Sequence, residues 1–169
     1  MKNICIGLFE GEALPESLAA FKDVKLDLEF GKITTIHTLN QLDCEKIVVV
    51  GLGDGKKNIK EAFSKVDADD YLVYVNENTA YAAGFGLVYG AYSYKETKVY
   101  DLESDGYTAE FEKGKTVASI VNHAREMSDM PANFLTPNHL VDEAKVVSEK
   151  YGMEIEILNQ EDLEELPEA

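Results

Sequence analysis

The sequence predicts an α/β fold with a mixed β-sheet between helical layers, and three observations carry that expectation. Short runs rich in β-branched and aliphatic residues recur at 3–9, 46–50 and 71–75, as in strands buried on both faces. Helical periodicity takes over at 79–94 and 113–127, where apolar residues return every three or four positions. Strands first, then helix alternating with strand, is the order expected when helices cover a sheet.

Taken in order, residues 3–9 read as a first buried strand. Residues 24–30 alternate apolar and charged, so one face is wet, and Gly31 with Lys32 turns the chain into 33–39 as a hairpin partner. Residues 46–50 are the most hydrophobic strand and read as central. A short helix at 59–66 precedes the strand 71–75. The helix 79–94 carries Ala80, Ala83, Gly84 and Leu87 on one face and Tyr81, Phe85 and Val88 on another, so it belongs between layers. Its glycines Gly84, Gly86 and Gly90 cost about 1 kcal/mol each in helix propensity, which implies that another backbone approaches closely.

Residues 98–102 and 107–111 form a hairpin around the polar turn Ser104-Asp105-Gly106. From 113 to 127, Val117, Ile120, Val121, Ala124 and Met127 recur at helical spacing. After Pro131, Thr136 caps a new helix with Pro137 behind it and Gly152 as its C-terminal cap. Residues 153–158 alternate as a strand, and Asn159 caps a last helix bearing Leu163 and Leu166.

The totals exclude several function classes. A length of 169 residues fits one domain, or one domain and the beginning of another. The net charge of −16 repels a phosphate backbone and argues against nucleic acid. No apolar run reaches the roughly 18–20 residues that span a bilayer, and the N-terminus reads as a strand rather than a signal peptide. Cys5 and Cys44, in or beside apolar strand segments, fit reduced thiols in the cytoplasm.

The candidate chemistry is sparse. Gly51-Leu52-Gly53-Asp54-Gly55-Lys56-Lys57 follows a strand and precedes a helix, where phosphates bind in α/β folds. Lys56 stands where the dinucleotide pattern needs its third glycine, and Val50 and Lys57 break the Walker pattern. A tight strand-exit turn is the preferred reading. His37, His123 and His139 are scattered, with no H-E-x-x-H or C-x-x-C spacing. Glu161, Asp162, Glu164 and Glu165 read as a solvated helix face, and Tyr89, Tyr92, Tyr94 and Tyr100 as amphipathic packing. No G-x-S-x-G occurs, and these residues assemble no catalytic, cofactor-binding or metal site.

One stretch is more specific. Ala124-Arg125-Glu126-Met127-Ser128-Asp129-Met130-Pro131-Ala132-Asn133-Phe134-Leu135-Thr136-Pro137, continued by His139-Leu140-Val141-Asp142-Glu143-Ala144, resembles the A-R-x-x-x-N-x-P-A-N-x-L-T-P-x-x-L-x-x-x-A signature of the leucyl (cytosol) aminopeptidase family. Asp129 stands in place of the first asparagine. The stretch from Gly84 to Lys95 is similar to the family's E-G-x-x-L-G-x-Y-x-F-x-x-Y-K segment, and Val50-Gly51-Leu52-Gly53 to its V-G-L-G step.

The resemblance implies a two-domain metalloaminopeptidase acting on peptides in the cytoplasm as a homo-oligomer, a hexamer, with no nucleic-acid or membrane partner. Its N-terminal domain is a macro-domain-like α/β/α sandwich serving assembly, at 1–112 here. A linker helix follows at 113–130, and 131–169 open the peptidase domain. The two divalent ions, zinc or manganese, sit in motifs that match nothing in this chain, so the chain itself is expected to hold no cofactor and to be inactive. The alternative expectation is a stand-alone macro-type module taking ADP-ribose or another nucleotide at residues 51–57.

Overall fold

The computed structural model describes residues 2–94 and 100–164. It divides into two compact units, Met1–Arg125 and Glu126–Ala169. In the first, β1 (Asn3–Leu8), β2 (Ile33–His37), β3 (Lys46–Gly51), β4 (Tyr71–Tyr74) and β5 (Leu102–Ser104) form one sheet in the order β2-β3-β1-β4-β5. The pairs β1–β3, β1–β4 and β4–β5 are parallel, and β2–β3 is antiparallel. The mixed sheet expected from the sequence is present.

Alternating burial along β1 and β3 feeds two cores. Cys5, Val48, Val50 and Val73 face α1 (Ile59–Phe63), α2 (Ala80–Gly90) and the start of α3 (Thr108–Asp129), packing on Phe63, Ala83, Leu87 and Phe111. Ile4, Ile6, Ile47 and Val49 face the other way, onto Leu18 and Phe21 of a 3-10 helix (Glu16–Phe21) and the half-buried Leu26 and Leu28. Each such side chain contributes about 1.5–3 kcal/mol when fully removed from water. β3 is thus apolar on both faces, as its sequence requires, yet β1 takes the middle of the sheet because antiparallel β2 flanks β3 on its outer side.

The glycines of α2 mark backbone contacts. A side chain on Gly86 would strike the Lys60 carbonyl and Phe63, and one on Gly90 the Ser64 carbonyl, all of α1 or its end. Gly84 meets the Phe111 carbonyl of α3, and Gly114 of α3 meets the Tyr81 carbonyl and Phe85 N–H in return. The sandwiched position expected for this helix follows from these contacts, although α2 ends at Gly90 rather than Tyr94.

Three strand expectations are corrected. Residues 24–30 form no strand. Leu26 and Leu28 are drawn onto the second core instead, while the backbone is satisfied locally, Asp27 N–H donating to the Thr34 hydroxyl and Gly53 N–H to the Leu28 carbonyl. β2 therefore pairs with β3. The hairpin at 98–111 is replaced by β5 lying parallel to β4, and residues 108–111 open α3, because Phe111 N–H donates to the Tyr107 carbonyl and the ring is fully buried. Residues 98 and 99 lie outside the described residues. Residues 153–158 carry no strand pairing, and Ile155, Ile157 and Leu158 are exposed; alternation alone does not make a strand without a neighbour to accept its hydrogen bonds.

The second unit holds α4 (Pro137–Tyr151) and α5 (Gln160–Glu164). The Thr136 hydroxyl accepts from His139 N–H, and Gly152 closes α4 at φ 64°, the left-handed cap its sequence forecasts. Asn159 accepts from the N–H groups of Glu161 and Asp162 at the start of α5. Leu166 lies outside the described residues.

Candidate functional site

The most built polar cluster lies where α3 passes the end of α2. The last carbonyls of any helix lack intrahelical partners and carry partial negative charge. Here Asn122 Nδ2 donates to the Val88 carbonyl at 2.8 Å, and Arg125 Nη1 donates to the Tyr89 carbonyl at 3.1 Å and to Asn122 Oδ1 at 3.0 Å. The guanidinium also lies 4.4 Å from the centre of the Tyr89 ring and 4.2 Å from that of Tyr92. Of the tyrosines grouped in the sequence, two thus converge on one cation, and Arg125 of the family-like signature holds α2 against α3. Asn122 escaped the sequence reading; its only signal is its place three residues before Arg125, on the same helix face.

Arg125→Ala is expected to lower the stability of the first unit by about 2 kcal/mol, from the lost stacking and the stranded carbonyl. Arg125→Lys should recover only part of this, because an ammonium cannot stack and donate in one plane. Urea unfolding followed by far-ultraviolet circular dichroism measures both.

The turn at 51–57 commits several of its donors to neighbouring segments of the fold. Gly51 N–H donates to the Lys32 carbonyl, Leu52 N–H to Leu8, Gly53 N–H to Leu28, and Lys56 N–H to the Asp54 carboxylate. Lys56 Nζ closes on Asp54 at 2.6 Å, which lowers the Asp54 pKa, and Lys57 lies over the Phe30 ring. Gly53 and Gly55 take positive φ, as a tight strand exit requires. Four of the turn's N–H groups are thus taken, and the nucleotide alternative gains no support.

A cleft of about 330 Å³ opens at the carboxyl ends of β1 and β4, lined by Ile6, Leu8, Glu12, Pro15, Tyr74 and Asn76 among others. Crevices there are the usual ligand position in α/β sheets. Its carboxylates and amide already serve the fold: Glu12 accepts from Phe9 N–H, Asp105 from Val75 N–H, and Asn76 from the N–H groups of Asn78 and Thr79.

His37, His123 and His139 fall on β2, α3 and α4, and His139 Nε2 stands 3.7 Å from Glu143. Glu161, Asp162 and Glu164 are on α5, and Glu165 lies outside the described residues. Among the described residues no group of three His, Cys, Asp or Glu stands close enough to hold a metal ion. Burial pushes the Cys5 thiol up to about 12 and raises that of Cys44, so neither is a thiolate at neutral pH. No helix among the described residues is long and apolar enough to cross a membrane.

Comparison with known proteins gives this α/β architecture its class. No protein-family model matches the chain. A probable cytosol aminopeptidase of Exiguobacterium sibiricum is 32% identical over 80% of the chain and 33% of its own length. Another, from Alkaliphilus metalliredigens, is 27% identical over 82% of the chain and 35% of its own length. Among solved structures, the bottromycin maturation enzyme BotP matches with TM-score 0.72 at 16% identity, covering 97% of this chain and 40% of that one. The cytosol aminopeptidase of Coxiella burnetii matches with TM-score 0.67 at 18% identity, over 96% and 39% respectively. The class is therefore that of an α/β module shared with aminopeptidase-like enzymes. The resemblance read at the proline junction is shown: over most of its length the chain is similar to proteins named probable cytosol aminopeptidase. The chain spans about a third of the length of those two relatives.

Proposed function

We propose that the chain is the assembly and support portion of a metal-dependent aminopeptidase that removes N-terminal residues from peptides, and that it carries no catalytic group itself. The observation that carries this is similarity to cytosol aminopeptidases over most of the chain but only a third of theirs. In this reading residues 1–112 are the macro-like domain, 113–130 the linker helix and 131–169 the opening of the peptidase domain. The exposed Leu140, Val147, Ile155 and Ile157 of the second unit support it, as large apolar side chains left uncovered. The metals, two zinc or manganese ions, belong to the remaining two thirds of the enzyme; a BotP structure in complex with Mn matches this chain with TM-score 0.67. The cytosolic setting and the hexamer rest on the names and the family resemblance of the relatives.

Two preparations test this. The whole protein containing this sequence is expected to hydrolyse leucine p-nitroanilide with manganese or zinc and to lose that activity on chelation. Residues 1–169 alone are expected to show none at any metal concentration. Metal-dependent turnover by the 169-residue chain would refute the division of labour, and a whole protein inert towards aminoacyl anilides would refute the enzyme class.

A further inference from the structure

The cleft at the carboxyl ends of β1 and β4 lies where the strand order reverses. The chain leaves β1 towards β2 and β3 on one side, and leaves β4 through α2 towards β5 on the other. Ligands of open α/β sheets settle at such a reversal. The volume of about 330 Å³ is that of a small-molecule site. Ile6, Leu8 and Pro15 make an apolar floor, with the half-buried Tyr74 beside them.

Glu12 and Asp105 also line the cleft, and each is held by a reciprocal pair of hydrogen bonds. Glu12 N–H donates to the Phe9 carbonyl at 3.0 Å, while its carboxylate accepts from Phe9 N–H at 2.8 Å. Asp105 N–H donates to the Val73 carbonyl at 3.1 Å, while its carboxylate accepts from Val75 N–H at 2.9 Å. Glu12 Oε2 and Asp105 Oδ1 are thereby fixed, and the second oxygen of each accepts from no described residue. Neither carboxylate has an ion-pair partner among the described residues. Glu12 follows β1 and Asp105 follows β5, with β4 between; those two strands stand two spacings apart, about 10 Å.

We infer that this cleft binds a short aliphatic diamine, one ammonium on Glu12 and the other on Asp105, with the methylene tether over Ile6, Leu8 and Pro15. Charge and span select that ligand. Two fixed carboxylates in a chain of net charge −16 attract cations and repel a phosphate. A divalent metal ion needs several oxygens within about 2.6 Å of itself, and no group of three His, Cys, Asp or Glu among the described residues stands close enough to hold one. Four methylenes set two ammonium nitrogens about 6 Å apart, and charge-assisted bonds of about 2.8 Å at both ends carry that to the span between the strands. Both carboxylates are fixed before the ligand arrives, so little ordering cost falls on the protein. Free diamines and the amino-terminal lysine of a peptide share this chemistry, since each carries two ammonium groups on an aliphatic tether. The site does not depend on the peptidase reading.

Titration of the isotope-labelled 169-residue chain, followed through the amide resonances of Phe9, Val75 and Asn76, tests it. Diaminobutane should saturate these shifts with a dissociation constant on the order of 1 mM at low salt. Butylamine should bind roughly fivefold more weakly, the worth of one exposed ion pair. Glu12→Gln and Asp105→Asn keep the oxygen that the backbone N–H needs and lose only the charge, so each should weaken diaminobutane roughly fivefold. Glu154→Gln removes the same charge at an exposed position of the second unit and should change binding by less than about twofold. Lysinamide separates the two sources: binding tighter than diaminobutane assigns the cleft to a peptide amino terminus, and weaker binding assigns it to a free diamine. Amides that do not saturate, butylamine that matches diaminobutane, or a loss in Glu154→Gln equal to that of the cleft variants overturns the site. The butylamine comparison uses the unmodified chain, so it decides even where a variant misfolds.

Discussion

Gly114→Ala should destabilise the first unit by about 3 kcal/mol, although the same change in an ordinary helix stabilises by about 1 kcal/mol. The reversal of sign is the informative part. A Cβ on Gly114 would fall far inside contact with the Tyr81 carbonyl and within 2.8 Å of the Phe85 nitrogen, and one on Gly84 would strike the Phe111 carbonyl and approach the Lys115 nitrogen. These obstacles are backbone atoms of helices that themselves pack on the sheet, so no rotamer change relieves the clash. α2 and α3 must separate, loosening Ala83, Leu87 and Phe111, all in one core. Since small domains have only about 5–15 kcal/mol in total, Gly114→Val should leave little folded protein at 37 °C. Gly106→Ala is the control, with no atom within 4 Å of the added carbon and an expected change within about 0.5 kcal/mol. The chain has no tryptophan, so far-ultraviolet dichroism or tyrosine fluorescence must report unfolding. A raised urea midpoint for Gly114→Ala would show that the helices do not touch through these glycines.

The same contacts explain which parts of the fold could be read from the residues. β1, β3 and β4 declare themselves because burial on two faces leaves no room for polar side chains, and α2 because its glycines make no sense in a solvated helix. The caps Thr136 and Gly152 act through local hydrogen bonds, so local sequence suffices for them. What escaped depends on neighbours distant in sequence. Residues 24–30 and 153–158 have the period of a strand, but a period says nothing about whether another strand stands alongside. The order of the sheet is likewise a matter of which edges remain free, and Gly114 is meaningful only once Tyr81 is opposite it. At the candidate site, motif spacing at 51–57 departs from the Walker and dinucleotide patterns. It could not foresee that the Lys32, Leu8 and Leu28 carbonyls would take up three of the turn's donors. The signature singled out Arg125, but its work on the Tyr89 carbonyl requires α3 to lie along α2, which no local pattern encodes.

Phe111 decides how α3 lies, and Phe111→Ala is expected to cost about 3–5 kcal/mol, the range for a fully buried aromatic. The ring is completely buried among Phe63, Ala83, Leu87 and Leu102. Phe111, Gly114, Ala118, Asn122 and Arg125 recur at helical spacing, so one face of α3 runs from the core beneath α2 to the carbonyls at its end. Removing the ring frees the first turn of α3 to shift, and the far end of that face should loosen with it. The tyrosine near-ultraviolet dichroism from Tyr89 and Tyr92 around Arg125 should therefore fall in the native state of Phe111→Ala, well before the denaturation midpoint. Tyr107→Ala separates this arrangement from the hairpin that alternation at 107–111 suggested. In a strand, Tyr107 and Phe111 would share a face and a comparable loss. In the helix, Tyr107 sits ahead of the first turn and is 52% exposed, so its removal should cost less than about 1 kcal/mol. Equal losses for the two substitutions would restore the hairpin and remove the register that brings Asn122 and Arg125 to the end of α2.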